Sequence, residues 1–240
     1  QVYILEVNPR ASRTVPFVSK ATSRPLAKVA VRCMIGETLE KQGFLHMLVP
    51  DYYSVKEAVF PFAKFPGVDV LLGPEMKSTG EVMGVGSTFG EAFGKAQLAA
   101  GNPMPQPGTA FISVRDVDKR PGLIAACKSL EKFGFDLLAT RGTCEFLCDA
   151  GVQCESVNKV KEGRPHIVDK ITNGDIRFIV NTTEGRQAVT DSYNIRRAAL
   201  RFQVPYTTTL AGAEATCLAL EVTGDPQVRS LQSLHIGMNA

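Results

Sequence analysis

The sequence lacks the features that mark membrane proteins and nucleic-acid-binding proteins. No apolar stretch reaches about 18 residues, so we expect no transmembrane helix, and the chain opens in an apolar, strand-like segment rather than in a signal peptide. Basic residues form no run and do not alternate with aromatic residues, and the net charge is only +3. We therefore expect a cytoplasmic protein that binds neither membranes nor nucleic acids.

Histidine and cysteine are too sparse to complete a zinc module, since the chain has 3 and 6 of them respectively. Cys144 and Cys148 are four residues apart in a predicted helix and Cys154 is near, a pattern that could mimic a metal pair. His166, however, lacks the tight histidine pairing of zinc modules. The favoured interpretation is that the cysteines are buried free thiols in a reducing cytosol.

The length of the chain allows one large domain or two ordinary ones. Its 240 residues are 44% hydrophobic, which is enough for real cores. Three prolines within five residues, closed by Gly108, predict a semi-rigid connector over 102–108. We place the domain boundary there, which divides the chain into residues 1–107 and 108–240.

The first residues carry oxygen and guanidinium groups at a suggestive spacing. Glu6 and Asn8 are two residues apart on a predicted strand, so their side chains point to one face. Such oxygens suit Mg²⁺ or Mn²⁺, which proteins hold with few carboxylates together with substrate phosphates. Arg10 and Arg13 follow, and guanidinium groups fork onto phosphate or carboxylate oxygens. The alternative is a hydrogen-bonded turn with solvated arginines, because Glu-x-Asn is a short pattern.

Two helices are predicted in the rest of this first unit. Pro25 opens one of them, whose apolar positions follow the 3, 4, 7, 8 spacing of a helix, and Gly36 is expected to end it. Extended segments punctuated by prolines are predicted over 50–74. Thr88 and Glu91 have the spacing of a capping box, which predicts a second helix that ends near Gly101.

Strands and helices alternate in residues 108–240. Strands are predicted over 109–114, 135–140, 154–157, 176–181 and 205–208. Helices are predicted near 118–133, 143–151, 166–173, 185–203 and 211–221. This alternation predicts an α/β fold with a doubly wound parallel sheet. In such sheets ligands bind beyond the carboxyl ends of the strands, where helix N-termini present free N–H groups.

Small polar residues stand where several of these strands end. Thr140 and Thr143 follow the second strand, and Asn181 and Thr183 follow the fourth. Lys119 and Lys159, after the first and third strands, would add cationic contacts. Each residue has an ordinary alternative, since the threonines could cap helices and the lysines could be solvated. Taken together, these residues at the ends of four strands predict an anion pocket.

Runs of residues along nearly the whole chain resemble the large chain of carbamoyl phosphate synthetases. The runs are YILEVNPRASRTVPFVSKAT (3–22), SVKEAVFPF (54–62) and GPEMKSTGEVMG (73–84), with shorter matches at 158–160 and 181–183. The resemblance implies the C-terminal portion of a second ATP-grasp domain in residues 1–107. It implies a methylglyoxal-synthase-like allosteric domain in residues 108–240. Because the chain begins at Gln1, just before a strand with catalytic-looking residues, we interpret it as part of a longer polypeptide.

The resemblance also implies what the intact protein does. Members of this family make carbamoyl phosphate from bicarbonate, glutamine-derived ammonia and ATP, for arginine and pyrimidine biosynthesis, together with a small glutaminase subunit. Glu6 and Asn8 would ligate Mg²⁺ or Mn²⁺, and Arg10 and Arg13 would be catalytic residues that stabilise charge on the transferring phosphate. We expect no metal or ATP to bind tightly to this chain alone, and no catalysis by it, because the family's adenine pocket precedes Gln1.

Two effector sites are implied by the same resemblance. Six positions match a site for nucleoside monophosphates, which takes UMP as inhibitor or IMP as activator in bacterial relatives: Lys119, Thr140, Thr143, Lys159, Asn181 and Thr183. Three positions match an ornithine site: Glu57, Tyr206 and Thr208. Arg141 stands where some relatives carry a different polar residue, which leaves the nucleotide preference open. Self-association through the allosteric domain is a further prediction.

Two other functions remain open for residues 108–240. A stand-alone methylglyoxal-synthase-like lyase needs a carboxylate base beside the substrate carbonyl. The loop before the third predicted helix has Arg164 and His166 instead, and the fourth strand is followed by Thr182 and Thr183. The phosphate-binding residues are thus kept and the base is missing, which favours binding without turnover. The other function is that of an oligomerisation module, which is compatible with effector binding.

Overall fold

The structure, a computed structural model, describes most of the chain. The described residues are 4, 13–46, 48–64, 70, 72, 76–184, 190, 192–222, 228, 230 and 232–233. Glu6, Asn8 and Arg10 lie outside them, so Arg13 is the member of the predicted metal and arginine cluster that the structure describes. Across the described ranges, no helix is both long enough and apolar enough to span a membrane.

The first part of the chain consists of helices packed beside an antiparallel pair of strands. Its elements are α1 (Thr14–Ala21), α2 (Leu26–Met34), β1 (Tyr53–Val59), β2 (Gly80–Gly86) and α3 (Phe89–Ala99). Strands β1 and β2 pair along their whole length, with Tyr53 opposite Gly86. The helix predicted after Pro25 is confirmed as α2, and it ends before Gly36, whose φ of +92° suits a residue without a Cβ.

The predicted helix at Thr88 is also confirmed, but its capping box is only half formed. Thr88 Oγ1 accepts a hydrogen bond from the Glu91 N–H at 3.2 Å. The Glu91 carboxylate binds one residue further back, where the N–H and the hydroxyl of Ser87 donate to it at 2.8 and 2.9 Å. Lys95 Nζ lies 2.7 Å from the same carboxylate. This hydrogen bond from Lys95, together with those from Ser87, lowers the pKa of Glu91 to about 2.

A five-stranded sheet forms the second part of the chain. Its strands are β3 (Gly108–Ser113), β4 (Phe135–Thr140), β5 (Glu155–Val157), β6 (Ile176–Asn181) and β7 (Tyr206–Thr207). The strand order is β5-β4-β3-β6-β7, and every pairing is parallel. Each of the five predicted strands is therefore confirmed.

Helices cover both faces of this sheet. They are α4 (Pro121–Lys132), α5 (Arg141–Asp149), α6 (Ile167–Thr172), α7 (Tyr193–Arg201) and α8 (Leu210–Leu220). Buried residues of α4, α5 and α8, such as Leu123, Leu147 and Cys217, form one core. Buried residues of α6 and α7, such as Ile167 and Ile195, form the other. The prediction of a doubly wound α/β fold is confirmed, whereas the domain boundary at 107/108 stays a prediction.

Some helix bounds differ from those predicted. The helix expected near 118 is preceded by a short 3₁₀ helix, Asp116–Asp118, and α4 begins at Pro121 because the fixed φ of proline suits the first helical position. The helix predicted over 185–203 is described as α7 from Tyr193 onward, and residues 185–189 and 191 lie outside the described residues.

The two parts of the chain meet where α3 packs against α8. Gly90, in the first turn of α3, lies so close to α8 that a Cβ on it would overlap the carbonyl oxygen of Leu218. Gly94, one turn later, is less crowded, since a Cβ there would lie 3.5 Å from the Ala219 Cβ. The absence of a side chain at Gly90 therefore allows the backbones of the two helices to come together.

The expectation that the cysteines are buried is wrong for Cys33 and Cys148, which are exposed. Cys148 lies one turn after Cys144 on α5, with the two Sγ atoms 3.9 Å apart. Both thiols donate to the carbonyl of Cys154, at 3.3 Å from Cys144 and 3.7 Å from Cys148. Within the described part of the chain, no group of three acidic, histidine or cysteine side chains is arranged to hold a metal ion.

Candidate functional site

The sheet of the second part has its crossover point between β3 and β6. The chain runs from β3 to β4 and β5 on one side and then returns to place β6 and β7 on the other. In open α/β sheets, ligands bind beyond the carboxyl ends of the strands at this point. Ser113, Thr140 and Asn181 end β3, β4 and β6. Ser113 pairs in register with Asn181, and its hydroxyl accepts a hydrogen bond from Thr140 Oγ1 at 3.3 Å.

Hydroxyl groups line the part of this edge between β3 and α5. Thr143 is 1% exposed, and its Oγ1 lies 3.3 Å from Thr140 Oγ1 and accepts a hydrogen bond from the Val114 N–H at 3.4 Å. Helix α5 begins at Arg141, after Thr140, and no side chain caps it. The alternative interpretation of Thr143 as a helix cap is therefore wrong. The first turn of α5 keeps N–H groups that face an incoming anion.

Lys119 brings a positive charge to the same turn of α5. A Cβ on Gly142 would lie 3.3 Å from Lys119 Nζ, so the ammonium lies directly against the start of the helix. The same Nζ lies 2.7 Å from Asp116 Oδ1. The hydrogen bond and the charge of Lys119 lower the pKa of the Asp116 carboxyl, and Lys159 lowers it further by its charge. The structure thus pairs Lys119 with a carboxylate that the sequence pattern did not indicate.

Asn181 ends β6 at the crossover point, and one end of its side-chain amide has no hydrogen-bond partner in the described structure. The residue is 3% exposed, and its Oδ1 accepts a hydrogen bond from Ser192 Oγ at 3.5 Å. Its Nδ2 is buried and has no hydrogen-bond partner among the described residues. Buried polar atoms are rarely left without a partner, because losing water without a replacement costs about 1–3 kcal/mol. An acceptor on a bound ligand would satisfy this donor.

A second group of residues that sequence reasoning missed ties the loops after β3 and β6 together. Arg115 Nε lies 2.7 Å from Asp118 Oδ2, and Arg115 also pairs with Glu184 at 3.8 Å. The Arg115 N–H donates to Thr182 Oγ1 at 3.1 Å. The hydrogen bond from Arg115 is the main cause that lowers the pKa of Asp118, which is buried. The sequence signal for this ion pair is the three-residue spacing of Arg115 and Asp118, which brings the two side chains together because the chain turns between them.

Thr183 opens onto a neighbouring cavity of about 400 Å³. Arg115, Arg120 and the first residues of α8 line it as well, and Thr208 contributes from the end of β7. Thr183 thus lies beside Asn181 at the end of β6 but on the β7 side of the edge. Of the six residues predicted for nucleotide binding, Lys119, Thr140 and Thr143 lie at the start of α5, and Asn181 ends β6 at the crossover point. Lys159 lies in the loop after β5, and Thr183 lies at the neighbouring cavity.

The three residues predicted for ornithine line one larger cavity, of about 950 Å³, between the two parts of the chain. Glu57 comes from β1, Tyr206 from β7, and Thr208 from the loop before α8. Burial raises the pKa of the Glu57 carboxyl, because loss of water disfavours its charged form. Within the described residues, Glu57 forms no salt bridge. An ammonium group bound here would stabilise the carboxylate.

Arg13 is held by β2 at the start of the first part. Its Nε lies 3.7 Å from Glu81 Oε1, and its two terminal nitrogens donate to Ser78 Oγ at 3.5 Å and to Met76 Sδ at 3.4 Å. Lys56 binds the other oxygen of Glu81 at 2.8 Å. Since Glu6, Asn8 and Arg10 lie outside the described residues, the predicted metal site stays a prediction.

Comparison with known proteins identifies the relatives of this arrangement. Residues 122–208 match the MGS-like domain family, and residues 1–42 match the family of the carbamoyl-phosphate synthase L chain, ATP binding domain. The chain is 62% identical to the carbamoyl phosphate synthase large chain of Xanthomonas campestris, 60% identical to that of Halomonas eurihalina and 57% identical to that of Pseudomonas putida. The chain belongs to the carbamoyl phosphate synthase large-chain family.

These matches cover 100% of the chain but only 22% of each large chain. The MGS-like match includes the ends of β4, β5 and β6, and it ends at Thr208. Lys119 lies three residues before that match. The ATP-binding-domain match includes Glu6, Asn8, Arg10 and Arg13. The two units of the large chain that were expected from the sequence are therefore both represented.

Proposed function

We propose that this chain is the effector-binding part of a carbamoyl phosphate synthase large chain and that residues 108–240 bind a nucleoside monophosphate. The observation that carries the proposal is the group of hydroxyls and the ammonium at the start of α5. Thr140 and Thr143 lie 3.3 Å apart through their Oγ1 atoms, and Lys119 Nζ lies against Gly142 between them. Hydroxyls, free N–H groups and an ammonium together are the donors that bind a phosphate.

The nucleoside would extend from the phosphate toward the crossover point. Asn181 Nδ2, buried and without a partner in the described structure, would donate to an acceptor of the nucleoside. Thr183 lies beyond it, at the adjoining cavity. UMP and IMP are the ligands that the family resemblance implies. Lys159, in the loop after β5, would add a second positive charge to the site.

The geometry supports binding rather than lyase chemistry. The carboxylate that contacts Lys119 is Asp116, and Lys119 lowers its pKa below the ordinary value. A general base works best when its pKa lies near the working pH. A carboxylate that is stabilised in its charged form by an ammonium at 2.7 Å is therefore a weak base.

The cavity between the two parts is the proposed ornithine site. Glu57 would bind an ammonium, while Tyr206 and Thr208 would hold the amino-acid end through hydroxyl groups. This assignment joins β1 of the ATP-binding part to β7 of the sheet. Ligand binding there would act on both parts of the chain at once.

The activity of the whole large chain is a broader proposal. It would phosphorylate carbamate with ATP to make carbamoyl phosphate from bicarbonate and glutamine-derived ammonia, with a small glutaminase subunit as partner, for arginine and pyrimidine synthesis. Glu6 and Asn8 offer the oxygen ligands that Mg²⁺ or Mn²⁺ prefers, and the metal would neutralise phosphate charge. Arg10 and Arg13 would bind the transferring phosphate. We expect this chain alone not to carry out the reaction.

Calorimetric titration of the chain with UMP, IMP and ornithine, with Mg-ATP as a comparison, tests the proposal. We expect saturable binding of a nucleoside monophosphate that is lost in Thr143→Ala and Lys159→Ala, and no response to Mg-ATP. Glu57→Gln should weaken ornithine binding and leave nucleotide binding unchanged, which separates the two sites. A folded chain that binds neither UMP nor IMP would contradict the pocket assignment.

A further inference from the structure

Asp116 occupies an unusual position for a carboxylate beside an anion pocket. It lies in the 3₁₀ helix Asp116–Asp118, directly after the loop that leaves β3. Its Oδ1 lies 2.7 Å from Lys119 Nζ, although its side chain is 93% exposed. The carboxylate is thus bound to the pocket through one lysine and otherwise stands in solvent. It can leave this position by rotation of its own side chain, without any change in the buried core.

The lysine that Asp116 binds is the one that touches α5. Lys119 Nζ lies against Gly142, in the turn between Thr140 and Thr143. A phosphate bound to this turn would lie within reach of the same ammonium. A phosphate dianion and the Asp116 carboxylate cannot share it without a close approach of like charges, which is unfavourable.

We propose that Asp116 is a specificity-determining residue that competes with the phosphate for Lys119 and must leave when a phosphomonoester binds. The proposal rests on the nucleotide-binding function proposed above. In the ligand-free chain, the carboxylate acts as an internal anion on Lys119. The net binding free energy of a ligand is therefore its own interaction with Lys119 minus the interaction that Asp116 already makes with the same ammonium.

This competition discriminates between kinds of anion. A carboxylate ligand would make interactions with Lys119 that are similar in strength to those of Asp116, so it would gain little by displacing Asp116. A phosphomonoester carries up to two negative charges and three terminal oxygens, so it can bind Lys119, the threonine hydroxyls and the start of α5 at once. Asp116 therefore weakens the binding of every anion, and phosphomonoesters are the ligands whose additional interactions compensate for the displacement of Asp116.

The opposite role for Asp116 predicts the opposite sign. If the carboxylate served to hold Lys119 in place for the phosphate, its removal would weaken phosphate binding. If it competes, its removal strengthens phosphate binding. The exposed position of Asp116 makes the substitution Asp116→Asn safe for folding, because the amide keeps the size of the side chain and removes its charge.

The test is titration of the whole chain with inorganic phosphate, acetate and UMP, followed by calorimetry. We expect Asp116→Asn to bind phosphate about twofold to fivefold more tightly than the unmodified chain, as befits the loss of one exposed ion pair. Acetate should gain by a similar factor, because each anion displaces the same carboxylate, so weak anions should bind at lower concentrations than they do to the unmodified chain. Asp136→Asn makes the same charge change at the opposite end of β4, in an exposed position, and should leave all affinities unchanged.

A second pair of variants assigns the effect to Lys119. In a Lys119→Gln chain, phosphate binding should be weaker, and adding Asp116→Asn should no longer strengthen it. Equal or weaker phosphate binding by Asp116→Asn, in a chain that binds UMP, would overturn the competition and leave the nucleotide site standing. If neither the unmodified chain nor Asp116→Asn binds phosphate or UMP, the nucleotide site itself is wrong and the competition falls with it.

Discussion

Substitution of Gly90 tests how the first part of the chain packs against the second part. In the structure, a Cβ on Gly90 would overlap the carbonyl oxygen of Leu218 and lie 2.6 Å from its carbonyl carbon. Both atoms belong to the backbone of α8, so no side-chain rotation relieves the contact. Gly90→Ala would therefore force α3 and α8 apart.

The size of the effect follows from a comparison with Gly94. Alanine gains about 1 kcal/mol over glycine in a helix interior, and both positions lie in α3. Overpacking of a close contact costs about 1–3 kcal/mol. At Gly94 the added Cβ would meet the Ala219 Cβ at 3.5 Å, an ordinary contact. The difference in unfolding free energy between the two variants should therefore be about 1–3 kcal/mol, with Gly90→Ala the less stable.

Urea denaturation followed by circular dichroism measures this difference. We expect Gly94→Ala to be as stable as the unmodified chain or more stable, and Gly90→Ala to unfold at lower urea. The slope of the transition should also fall in Gly90→Ala if the two parts unfold separately. Equal midpoints for the two alanine variants would refute the close packing of α3 on α8.

Three further predictions concern acid stability, thiol reactivity and local opening. The hydrogen bonds to Glu91 lower its pKa from 4.5 to about 2, so the ionised carboxylate stabilises the fold above about pH 4.5 by at most about 3 kcal/mol, and this contribution is lost as the pH falls through 2. In a profile of unfolding free energy against pH, Glu91→Gln should therefore lose less stability in acid than the unmodified chain, and an unchanged profile would contradict the assignment. Burial raises the pKa of Cys127 to about 12, so a disulfide reagent should label the exposed Cys33 and Cys148 quickly and Cys127 only after unfolding. Mass spectrometry of the labelled chain identifies the labelled cysteines, and early labelling of Cys127 would contradict its burial. Amides of α2 should exchange faster with deuterium than those of β3, because Met34 of α2 is 83% exposed, whereas Phe111 of β3 is 0% exposed; equal protection would contradict this difference.

The second part of the chain was predictable because its pattern is local. Strands β3, β4 and β6 are short, largely apolar runs with a polar residue at the end, and the helices between the strands have helical spacing. The run 135–140 is an example, since it is buried from Leu137 to Thr140 and ends at the carboxyl edge of the sheet. Parallel pairing then places all the carboxyl ends at one edge, so the sequence alone could predict that Thr140 and Asn181 lie at the same edge of the sheet.

The contacts within that edge were not predictable from the pattern. Asp116 and Lys119 are three residues apart, and this spacing brings side chains together only when the chain turns, as it does in the 3₁₀ helix. The link between Arg115 and Thr182 joins two loops that are distant in the sequence and adjacent only because β3 and β6 pair. Charges that meet through the topology of a sheet leave no periodic signal.

The first part shows another limit of pattern reasoning. The apolar spacing of α2 predicted the helix correctly, but Val29 is its buried residue, and Met34 lies in solvent within the described structure. Hydrophobic spacing identifies which face of a helix is apolar, and it does not identify what covers that face. The predicted capping box similarly gave the start of α3 but not the choice of Ser87 as partner for Glu91.

The proposed nucleotide site lies at the carboxyl edge of the sheet, where a phosphomonoester would bind at the start of α5. The most direct test is titration of the isotope-labelled chain with UMP, followed by ¹H–¹⁵N correlation spectra. We predict saturable shifts of the backbone amides of Arg141, Gly142 and Thr143 and of the Asn181 side-chain amide, whose donor has no partner in the described structure. Absence of shifts at these groups, or saturable shifts confined to another surface, would contradict the account.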